Sequence, residues 1–540
     1  KEQKEEKVIE NPQETKKNPV ESQEPEPSAE EKTEDVPASQ EPEPEKKKVE
    51  NLTVLFSNEW LSKWNKEQTQ YLLETTFNTP KLSSEDGENY PELGKALDQY
   101  ARSERKRMKT LHAQTAKEAE KTGIGAAAWS IRNWLSVSRA DSRVVSLMTK
   151  YSDYLGGAHG MYYTDGISFD AETGKILKLE DVFADVDSLP ALLEKKLIKK
   201  YGKDAFYHSA DDLSIFADYG TVGADGSVHI KEEDYTWCIS NDGVTFYFAP
   251  YSIAPYAGGE FECLIPFRKK DLFQGSYAEI PKAYARALAW DYDNGTNCGL
   301  TFKADLDEDG MQDTLEIDAD ASDDYGSDYS VKISYSGNTW KKQLHGYSYT
   351  PVLMHLKGGR NYLYLGVVME NDYPETYIFS LSKKGVTEVG SKYLGFHGEC
   401  DENERYYTSV PADPKGFKLD TRMDVLSTYT GWKKYHVGKN GMPVADSSYY
   451  KIESSITMTS LRSMKLSIVD KKGKKLKSAK IPKGETFVFY RTDGKKYVDM
   501  KLSDGRICRL HISPAKNDLY GQQVEGMSLE KTFSGFMFAG

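Results

Sequence analysis

Apolar and polar side chains alternate in short runs from about residue 296 to the C-terminus, and Gly, Asn and Asp separate the runs. Alternation with a period of two is typical of strands that bury one face, and apolar residues at helical spacing are nearly absent here. Turn sequences at 470–473, 492–494 and 503–505 follow one another at the spacing of a small barrel. The sequence therefore predicts all-β modules, including a small C-terminal β-barrel over about 447–512.

The preceding segment, from about 51 to 295, contains both strand and helix patterns. A helix is predicted to begin at Pro91, since proline is favoured in a first helical turn, and another is predicted over 189–201. Asn241-Asp242-Gly243 lies between two alternating runs and predicts a β-hairpin. Together these patterns predict an α+β unit with a mainly antiparallel sheet, closed by a short helix near 281–290.

Residues 1–50 differ in composition from the rest of the chain. They contain 16 acidic residues, nine Lys and seven Pro but no aromatic residue. Such a segment cannot bury enough apolar surface to offset the entropy of ordering. We therefore expect a disordered acidic tether that holds the folded part away from a surface, with a dispensable tail as the alternative.

The net charge, the length of the apolar runs and the first residue of the chain bear on the location of the protein. The formal charge of −13 predicts repulsion of nucleic acid and anionic membranes and favours a cationic partner. No apolar run is long enough to cross a bilayer, and the chain begins at Lys1, so we expect a mature form from which a targeting segment was removed. If that segment ended in a lipidated Cys, the tether would connect a lipid anchor upstream of residue 1 to the folded part.

Five motifs occur in a fixed order in the second half of the α+β unit. They are YLGGAHG (154–160), FDAETGK (169–175), LEDVF (179–183), DGVTFYF (242–248) and PYSIAPYAGG (250–259). In this order they resemble the extracellular domain of the RsiV anti-sigma factor family. Residues 51–142 are more loosely similar to the companion domain that precedes it, and a related domain accompanies a peptidoglycan deacetylase.

The resemblance, over about 51–290, implies protein recognition rather than catalysis, because RsiV-type domains bind host lysozyme. It implies an extracellular or cell-surface protein of a Gram-positive-type bacterium with a lysozyme-like cationic partner. The sequence contains neither a sigma-binding segment nor a membrane span, so anti-sigma activity is not carried over. The predicted segments are the tether (1–50), the companion α+β domain (51–142), the RsiV-like α+β domain (143–295), a β domain (296–420), and a barrel-like module with an apolar C-terminal segment (421–540).

Residues 305–316, DLDEDGMQDTLE, have the spacing of a calcium-binding loop. Carboxylates stand at positions one, three, five and nine, with Gly at six and Glu at twelve. A hard cation needs several convergent oxygens and glycine allows the sharp turn, so a structural Ca²⁺ site is predicted, with an acidic turn without metal as the alternative. Strand-like flanks argue against an EF-hand helix pair. The expected ligands are Asp305, Asp307, Asp309, Asp313, Glu316 and the backbone carbonyl of Met311.

A second candidate site contains Gly156, Gly157 and His159 in a glycine-rich turn. Two aspartates, Asp153 and Asp165, are near His159 in sequence, but no second His stands at a metal-binding spacing. A hydrogen-bonded turn residue is therefore the preferred interpretation of His159 over an acid–base catalyst. The turn residues are expected to bind a partner.

Tyrosines in the last two motifs extend this candidate binding site. Tyr251 and Tyr256 are predicted to bind together with the turn residues. Tyr247, Tyr251 and Tyr256 also suit stacking against a glycan, although strand alternation favours packing in the core.

No motif for covalent chemistry is present. A GxSxG elbow, a Walker-type loop and a dinucleotide fingerprint are all missing from the sequence, and we predict no catalytic residue. Five cysteines without a CxxC pair exclude a zinc ribbon. Cys238 and Cys263 lie in strand-like runs that could be neighbours, which leaves a disulfide and two buried thiols as open alternatives.

Three functions follow from these features. The preferred one is an extracellular binding or sensing protein that recognises a cationic protein such as lysozyme. The alternative is a cell-wall module that binds peptidoglycan or another glycan, or an accessory part of a cell-wall hydrolase. An enzyme with an unrecognised site would require a deep pocket with convergent polar groups around His159.

Overall fold

The computed structural model describes residues 50–123, 127–210, 213–292, 298–321, 328–400, 405–454, 456–514 and 521–539. Half of the described residues are strand and 16% are helix, which agrees with an α+β unit followed by all-β modules. The tether predicted over 1–50 lies outside the described residues except for Glu50. No helix in these described ranges is both long and apolar enough to cross a membrane.

Residues 54–170 form a five-stranded sheet with a long helix against it. The elements are β1 Val54–Trp64, β2 Tyr71–Leu82, α1 Ser84–Asn89, α2 Pro91–Thr122, β3 Trp129–Ala140, β4 Val144–Tyr154 and β5 Met161–Asp170. The strand order is β1-β2-β3-β4-β5, and only β2 and β3 are parallel because α2 provides the crossover between them. Pro91 begins α2 as predicted, and Leu93, Leu97 and Met108 on one helix face are buried in the cores beneath it.

Residues 179–266 add a second layer to this sheet. Its elements are α3 Leu179–Val182, α4 Leu189–Tyr201, β6 Thr221–Val222, β7 Val228–His229, β8 Thr236–Ile239, β9 Gly243–Phe248 and β10 Phe261–Pro266. The helix and hairpin predicted here are confirmed. Gly166 in β5 allows β8 to approach closely, since a Cβ at that position would lie 2.0 Å from the backbone oxygen of Trp237.

The two cysteines considered as a pair lie in β8 and β10, on opposite sides of the central strand β9. Neighbouring strands are about 4.8 Å apart, so strands separated by one other are about 10 Å apart, which is beyond the reach of a disulfide. Cys238 and Cys263 are buried free thiols. The disulfide alternative is therefore wrong, and the buried-thiol alternative is confirmed.

Residues 284–392 form two sheets that pack face to face. The strands are β11 Tyr284–Ala287, β12 Asp291–Tyr292, β13 Cys298–Ala304, β14 Asp313–Ala321, β15 Asp328–Tyr335, β16 Asn338–His345, β17 Ser348–Leu356, β18 Arg360–Val368, β19 Pro374–Ser382 and β20 Gly385–Lys392. One sheet has the order β11-β17-β18-β19-β20 and the other β12-β13-β14-β15-β16. Leu363 and Phe379 of the first sheet meet Ile317 and Ile333 of the second in a shared core.

The short helix predicted near 281–290 is wrong, because β11 occupies this place. The alanines of this segment favour a helix locally. Tyr284–Ala287 instead pair with β17 and place Tyr284 in the sandwich core. Tertiary pairing here overrides local propensity.

The C-terminal strands form one connected sheet. They are β21 Gly395–Phe396, β22 Glu399–Cys400, β23 Tyr406–Tyr407, β24 Phe417–Asp424, β25 Thr428–Val437, β26 Pro443–Ala445, β27 Tyr450–Glu453, β28 Thr457–Ser460, β29 Met464–Val469, β30 Lys475–Ile481, β31 Thr486–Thr492, β32 Tyr497–Leu502, β33 Ile507–Pro514, β34 Gln522–Val524, β35 Met527–Ser528 and β36 Phe533–Ser534. A short helix, α5 Leu529–Thr532, lies between β35 and β36. Only β22 and β23 pair with each other outside it. Among the described residues, the pairings of the expected barrel surround one core but do not close into a ring.

The apolar C-terminal segment docks onto the sheet of its own module. Phe533 is buried in its core. The backbone N–H of Thr428 donates to the carbonyl oxygen of Met537 at 2.9 Å, which ties the end of the chain to β25.

Candidate functional site

The loop of residues 155–160 connects β4 to β5 and depends on its two glycines. Gly156 and Gly157 have φ angles of +85° and +98°, which glycine adopts without steric cost. A Cβ on Gly156 would lie 3.1 Å from Nε1 of Trp129, so glycine lets the loop lie directly over this indole. The hydroxyl of Tyr154 donates to the carbonyl oxygen of Gly157 at 3.2 Å. The glycines therefore shape the loop that presents His159.

His159 stacks on Tyr256, which belongs to the loop between β9 and β10. The ring centroids are 3.9 Å apart and the planes are inclined by 24°. Nδ1 of His159 lies 3.0 Å from the carbonyl oxygen of Gly160, and the Tyr256 hydroxyl donates to the same oxygen at 2.8 Å. The rings of Tyr251 and Tyr162 lie 5.4 and 6.1 Å from the Tyr256 ring. These four residues (His159, Tyr162, Tyr251 and Tyr256) are called the aromatic surface below.

Tyr251 is the most unusual member of the aromatic surface. It is 52% exposed, although most of its bulk is apolar. Its φ angle is +71°, in the left-handed region that bulky side chains rarely occupy. Such a conformation costs about 1–3 kcal/mol and is concentrated at functional sites in proteins. The backbone is thus strained in a way that holds an aromatic ring in solvent.

All five residues predicted to bind lie at or beneath this surface, but Tyr251 differs from expectation in one respect. Tyr251 is not packed in the core, because residues 250–254 form turns instead of a strand. Tyr247 does not join the surface; it is half-buried with its hydroxyl 3.5 Å from Sγ of Cys238. Tyr162 was missed, since it is one of several outward residues of β5 and carries no local signal of its own.

His159 has no acidic partner among the described residues. The nearest candidate in sequence, Asp153, accepts hydrogen bonds from the Tyr151 hydroxyl at 2.9 Å and from the backbone N–H of Met161 at 3.3 Å. Asp165 accepts from the backbone N–H of Gly166. His159 contacts the carbonyl oxygen of Gly160 and the ring of Tyr256, and these contacts hold its imidazole where it can touch a binding partner.

The acidic loop between β13 and β14 brings three carboxylates together. One oxygen from each of Asp305, Asp307 and Asp313 lies within 4.8 Å of the others. The flanks are strands, as predicted. The Asp313 carboxylate accepts from the backbone N–H of Leu306 at 3.0 Å, which folds the loop back onto its own beginning.

One oxygen of this cluster lacks a partner. Oδ1 of Asp305 is buried without a hydrogen bond among the described residues. Burial, with the negative charges of Asp309 and Asp307, raises the pKa of the Asp305 carboxyl. By contrast, the ammonium of Lys383, 2.9 Å from Asp307, lowers the pKa of that carboxyl. An unpartnered buried oxygen beside two further carboxylates suits a hard divalent cation.

The remaining predicted ligands lie outside this group of three. Glu316 is three residues beyond Asp313 along β14, which is about 10 Å, and pairs with Thr301 of β13. Asp309 is exposed and accepts from the backbone N–H of Met311, whose side chain is 68% exposed. The twelfth-position carboxylate of an EF-hand therefore has no counterpart here, because a continuous strand carries Glu316 away from the loop.

Another titratable cluster lies in the C-terminal sheet around His397, which is 4% exposed. Its Nδ1 lies 3.1 Å from Oδ2 of Asp420, its Nε2 lies 3.6 Å from Oε2 of Glu453, and its ring stacks on Trp432. Burial alone would lower the pKa of His397, but the two carboxylates outweigh it and the pKa is raised. The charged imidazolium is therefore favoured in the folded state.

This cluster predicts a pH dependence of stability. A raised pKa means that His397 contributes fully below the pKa of about 6.5 in the unfolded chain, and the contribution is lost as pH rises through the folded value. The free energy of unfolding should fall as the pH rises from about 6.5 through the raised pKa of His397, and His397→Gln should reduce that fall. Denaturant unfolding at a series of pH values measures it. His511→Gln, at an exposed position, should leave the profile unchanged; an unaltered profile in His397→Gln would contradict the assignment.

Two segments of the chain match protein-family models. Residues 66–162 match the family described as deacetylase PdaC, and residues 180–268 match a protein family of unknown function, DUF3298. No curated protein sequence matches the chain.

The chain is also similar to solved structures of DUF3298 proteins. One, from Bacteroides fragilis, is 23% identical, and another, from Pseudomonas aeruginosa, is 20% identical. Each similarity covers 42% of this chain and 96% of the other, with a TM-score of 0.28. The aromatic surface combines His159 and Tyr162 from the PdaC-type segment with Tyr251 and Tyr256 from the DUF3298-type segment. The chain thus contains two neighbouring segments that are similar to a deacetylase PdaC domain and to a DUF3298 domain.

Proposed function

We propose that this protein is a non-catalytic, extracellular recognition protein whose aromatic surface binds a cationic protein of the lysozyme type. The observation that carries the proposal is Tyr251, an exposed aromatic residue held at a φ angle of +71° beside Tyr256. A strained backbone that keeps an apolar ring in water is destabilising unless the ring has a partner. Tyrosines are enriched among the residues that dominate binding energy at protein interfaces.

The choice of partner rests on three further points. Both segments that build the aromatic surface contain motifs that resemble the lysozyme-binding RsiV family. The formal charge of −13 favours association with a cationic protein. Lysozyme acts on cell walls, and the match of one segment to the family described as deacetylase PdaC supports a cell-wall-associated, extracellular location.

The test replaces Tyr251 with glycine. Tyr251→Gly removes the ring but tolerates the positive φ, so the fold should be retained. Loss of a dominant interface residue costs about 2 kcal/mol or more, which is about a 30-fold loss of affinity. Calorimetric titration of the full chain with purified lysozyme at low ionic strength measures the difference.

Tyr393→Ala is the matched control, since this tyrosine is 69% exposed and lies after β20. Its affinity for lysozyme should equal that of the unmodified chain. Absence of binding by the unmodified chain rejects lysozyme as the partner. Equal losses in both variants reject the aromatic surface as the binding site.

A glycan of the cell wall is the second candidate ligand. The stacked ring planes of His159 and Tyr256, with Tyr251 at their side, offer flat apolar faces of the kind on which sugar rings pack. Sedimentation with purified cell walls separates the two ligands. Pelleting that Tyr251→Gly abolishes, without lysozyme binding, would favour the glycan.

We also propose that residues 305–313 hold a structural Ca²⁺ ion. The orphaned Oδ1 of Asp305 and the neighbouring carboxylates of Asp307 and Asp313 support it. Bound calcium would neutralise the mutual repulsion of these groups. The loop contacts the second layer, where Asp242 accepts from the backbone N–H of Asp305 at 3.4 Å, so the ion would also stiffen this junction.

A further inference from the structure

The hairpin of β29 and β30 carries a positive charge that contrasts with the rest of this acidic chain. Residues 462–483 contain nine cationic residues and a single acidic one, Asp470. The carboxylate of Asp470 accepts hydrogen bonds from the backbone N–H groups of Lys472 and Lys474, which belong to the turn of the same hairpin. The lysines are all exposed: Lys465, Lys471, Lys472, Lys474, Lys475, Lys477, Lys480 and Lys483.

Among the described residues, none of these lysines forms an ion pair with a carboxylate. The lysines that do form ion pairs all lie outside the hairpin. Lys465 stands directly opposite Lys480 across the hairpin, an arrangement that is unfavourable without a counter-ion. A second Lys–Lys pair in the chain, Lys332 opposite Lys341, is relieved by Asp318, 3.4 Å from Nζ of Lys332. The repulsion between Lys465 and Lys480 therefore has no such compensation, whereas Asp318 partly compensates the repulsion between Lys332 and Lys341.

More positive charge lies beneath the turn of the hairpin. Arg491 donates to the carbonyl oxygens of Asp470 and Lys471 and so supports the turn. Arg491 shares one buried carboxylate, Asp499, with Arg509. Two guanidinium groups with one carboxylate leave a net positive charge under the lysines.

The shape of the hairpin indicates the kind of polyanion it suits. Among the described strands, β30 pairs only with β29, so the hairpin is the edge of the sheet. Lys477 and Lys480 lie on opposite faces of β30, and a β-bulge between Lys475 and Lys477 interrupts the alternation at the start of the strand. Lys477 shares its face with core residue Ile481 and is nevertheless exposed, so the hairpin projects beyond the core. A flat membrane would meet one face at a time, whereas a flexible linear polymer can contact both.

We propose that the β29–β30 hairpin binds a linear phosphodiester polymer of the cell wall, of the poly(alcohol phosphate) type. Phosphates repeated along a flexible chain match lysines that stand on both strands and on both faces of the hairpin. This goes beyond the proposed function, since the hairpin shares no residue with the aromatic surface. The net charge of −13 does not oppose this proposal, because the positive charge is concentrated at one edge.

The test is titration of the full chain with poly(glycerol phosphate), followed by fluorescence anisotropy of the labelled polymer. The fourfold substitution of Lys465, Lys475, Lys477 and Lys480 by Gln should weaken binding about tenfold or more. Binding to the unmodified chain should weaken about tenfold or more between about 50 and 200 mM salt, through release of counter-ions. Substitution of the same four lysines by Arg should retain binding, which separates charge from any effect on folding.

The matched control removes the same charge elsewhere, by Gln at the exposed positions Lys195, Lys199, Lys341 and Lys392. It should bind the polymer like the unmodified chain. Equal binding by the hairpin Gln variant, equal losses in both Gln variants, or no binding by the unmodified chain overturns the proposal. Vesicles of phosphatidylglycerol and phosphatidylcholine in equal parts test the membrane; hairpin-dependent binding to vesicles but not to the polymer also overturns it.

Discussion

Calcium should raise the thermal unfolding temperature of the full chain, and Asp313→Asn should abolish this rise. A ligand at 100 times its Kd stabilises the folded state by about 2.7 kcal/mol. Extracellular calcium modules have Kd values of about 10⁻⁴–10⁻³ M, so about 10 mM calcium reaches this ratio at the tighter end. The Asp313 carboxylate is one of the three that converge, and it also closes the loop onto Leu306. Calorimetric scans with calcium and with a chelator measure the shift.

Glu316→Gln is the matched control for this prediction. Glu316 completes the twelve-residue pattern in the sequence, but β14 carries it away from the three carboxylates. The calcium-dependent rise should therefore persist in Glu316→Gln. A rise that survives in Asp313→Asn but is lost in Glu316→Gln would show that the cation is held in a different way from the one inferred here.

Asp141→Asn should lower the free energy of unfolding by about 3–5 kcal/mol. Asp141 and Arg139 are both buried, with Nε of Arg139 2.6 Å from Oδ2 of Asp141. Removing one charge leaves the other uncompensated in the interior, which costs far more than the pair itself is worth. Arg139 also donates to the carbonyl oxygens of Tyr277 and Glu279, so the pair joins β3 to the segment that follows β10. Chemical denaturation measures the loss.

The pair Arg506–Asp504 provides a contrast at the same separation. Its Nε–Oδ2 distance is also 2.6 Å, but both side chains are exposed. Asp504→Asn should produce no measurable change, since solvent screens an exposed pair. Combining Arg139→Gln with Asp141→Asn should recover part of the loss, because neither charge is then buried alone. A loss in Asp141→Asn no larger than that in Asp504→Asn would contradict the role given to burial.

Several features of the fold could be predicted because they depend on neighbouring residues. Pro91 marks the start of α2, and Asn241-Asp242-Gly243 marks the turn between β8 and β9. Both signals specify local backbone angles, which side chains in the same few residues decide. The segment 281–290 could not be predicted in this way. Its alanines favour a helix, but Tyr284–Ala287 pair with β17 and form a strand.

The sequence by itself determined the alternating strands, the glycine turns and the acidic loop, because each is a matter of backbone conformation within about a dozen residues. Only the tertiary structure decided that Asp305, Asp307 and Asp313 converge while Glu316 does not. Likewise, it brought His159 onto Tyr256, 97 positions away, and left the lysines of β30 on an edge. Contacts between distant residues depend on how whole sheets pack and pair, and no local pattern encodes that arrangement.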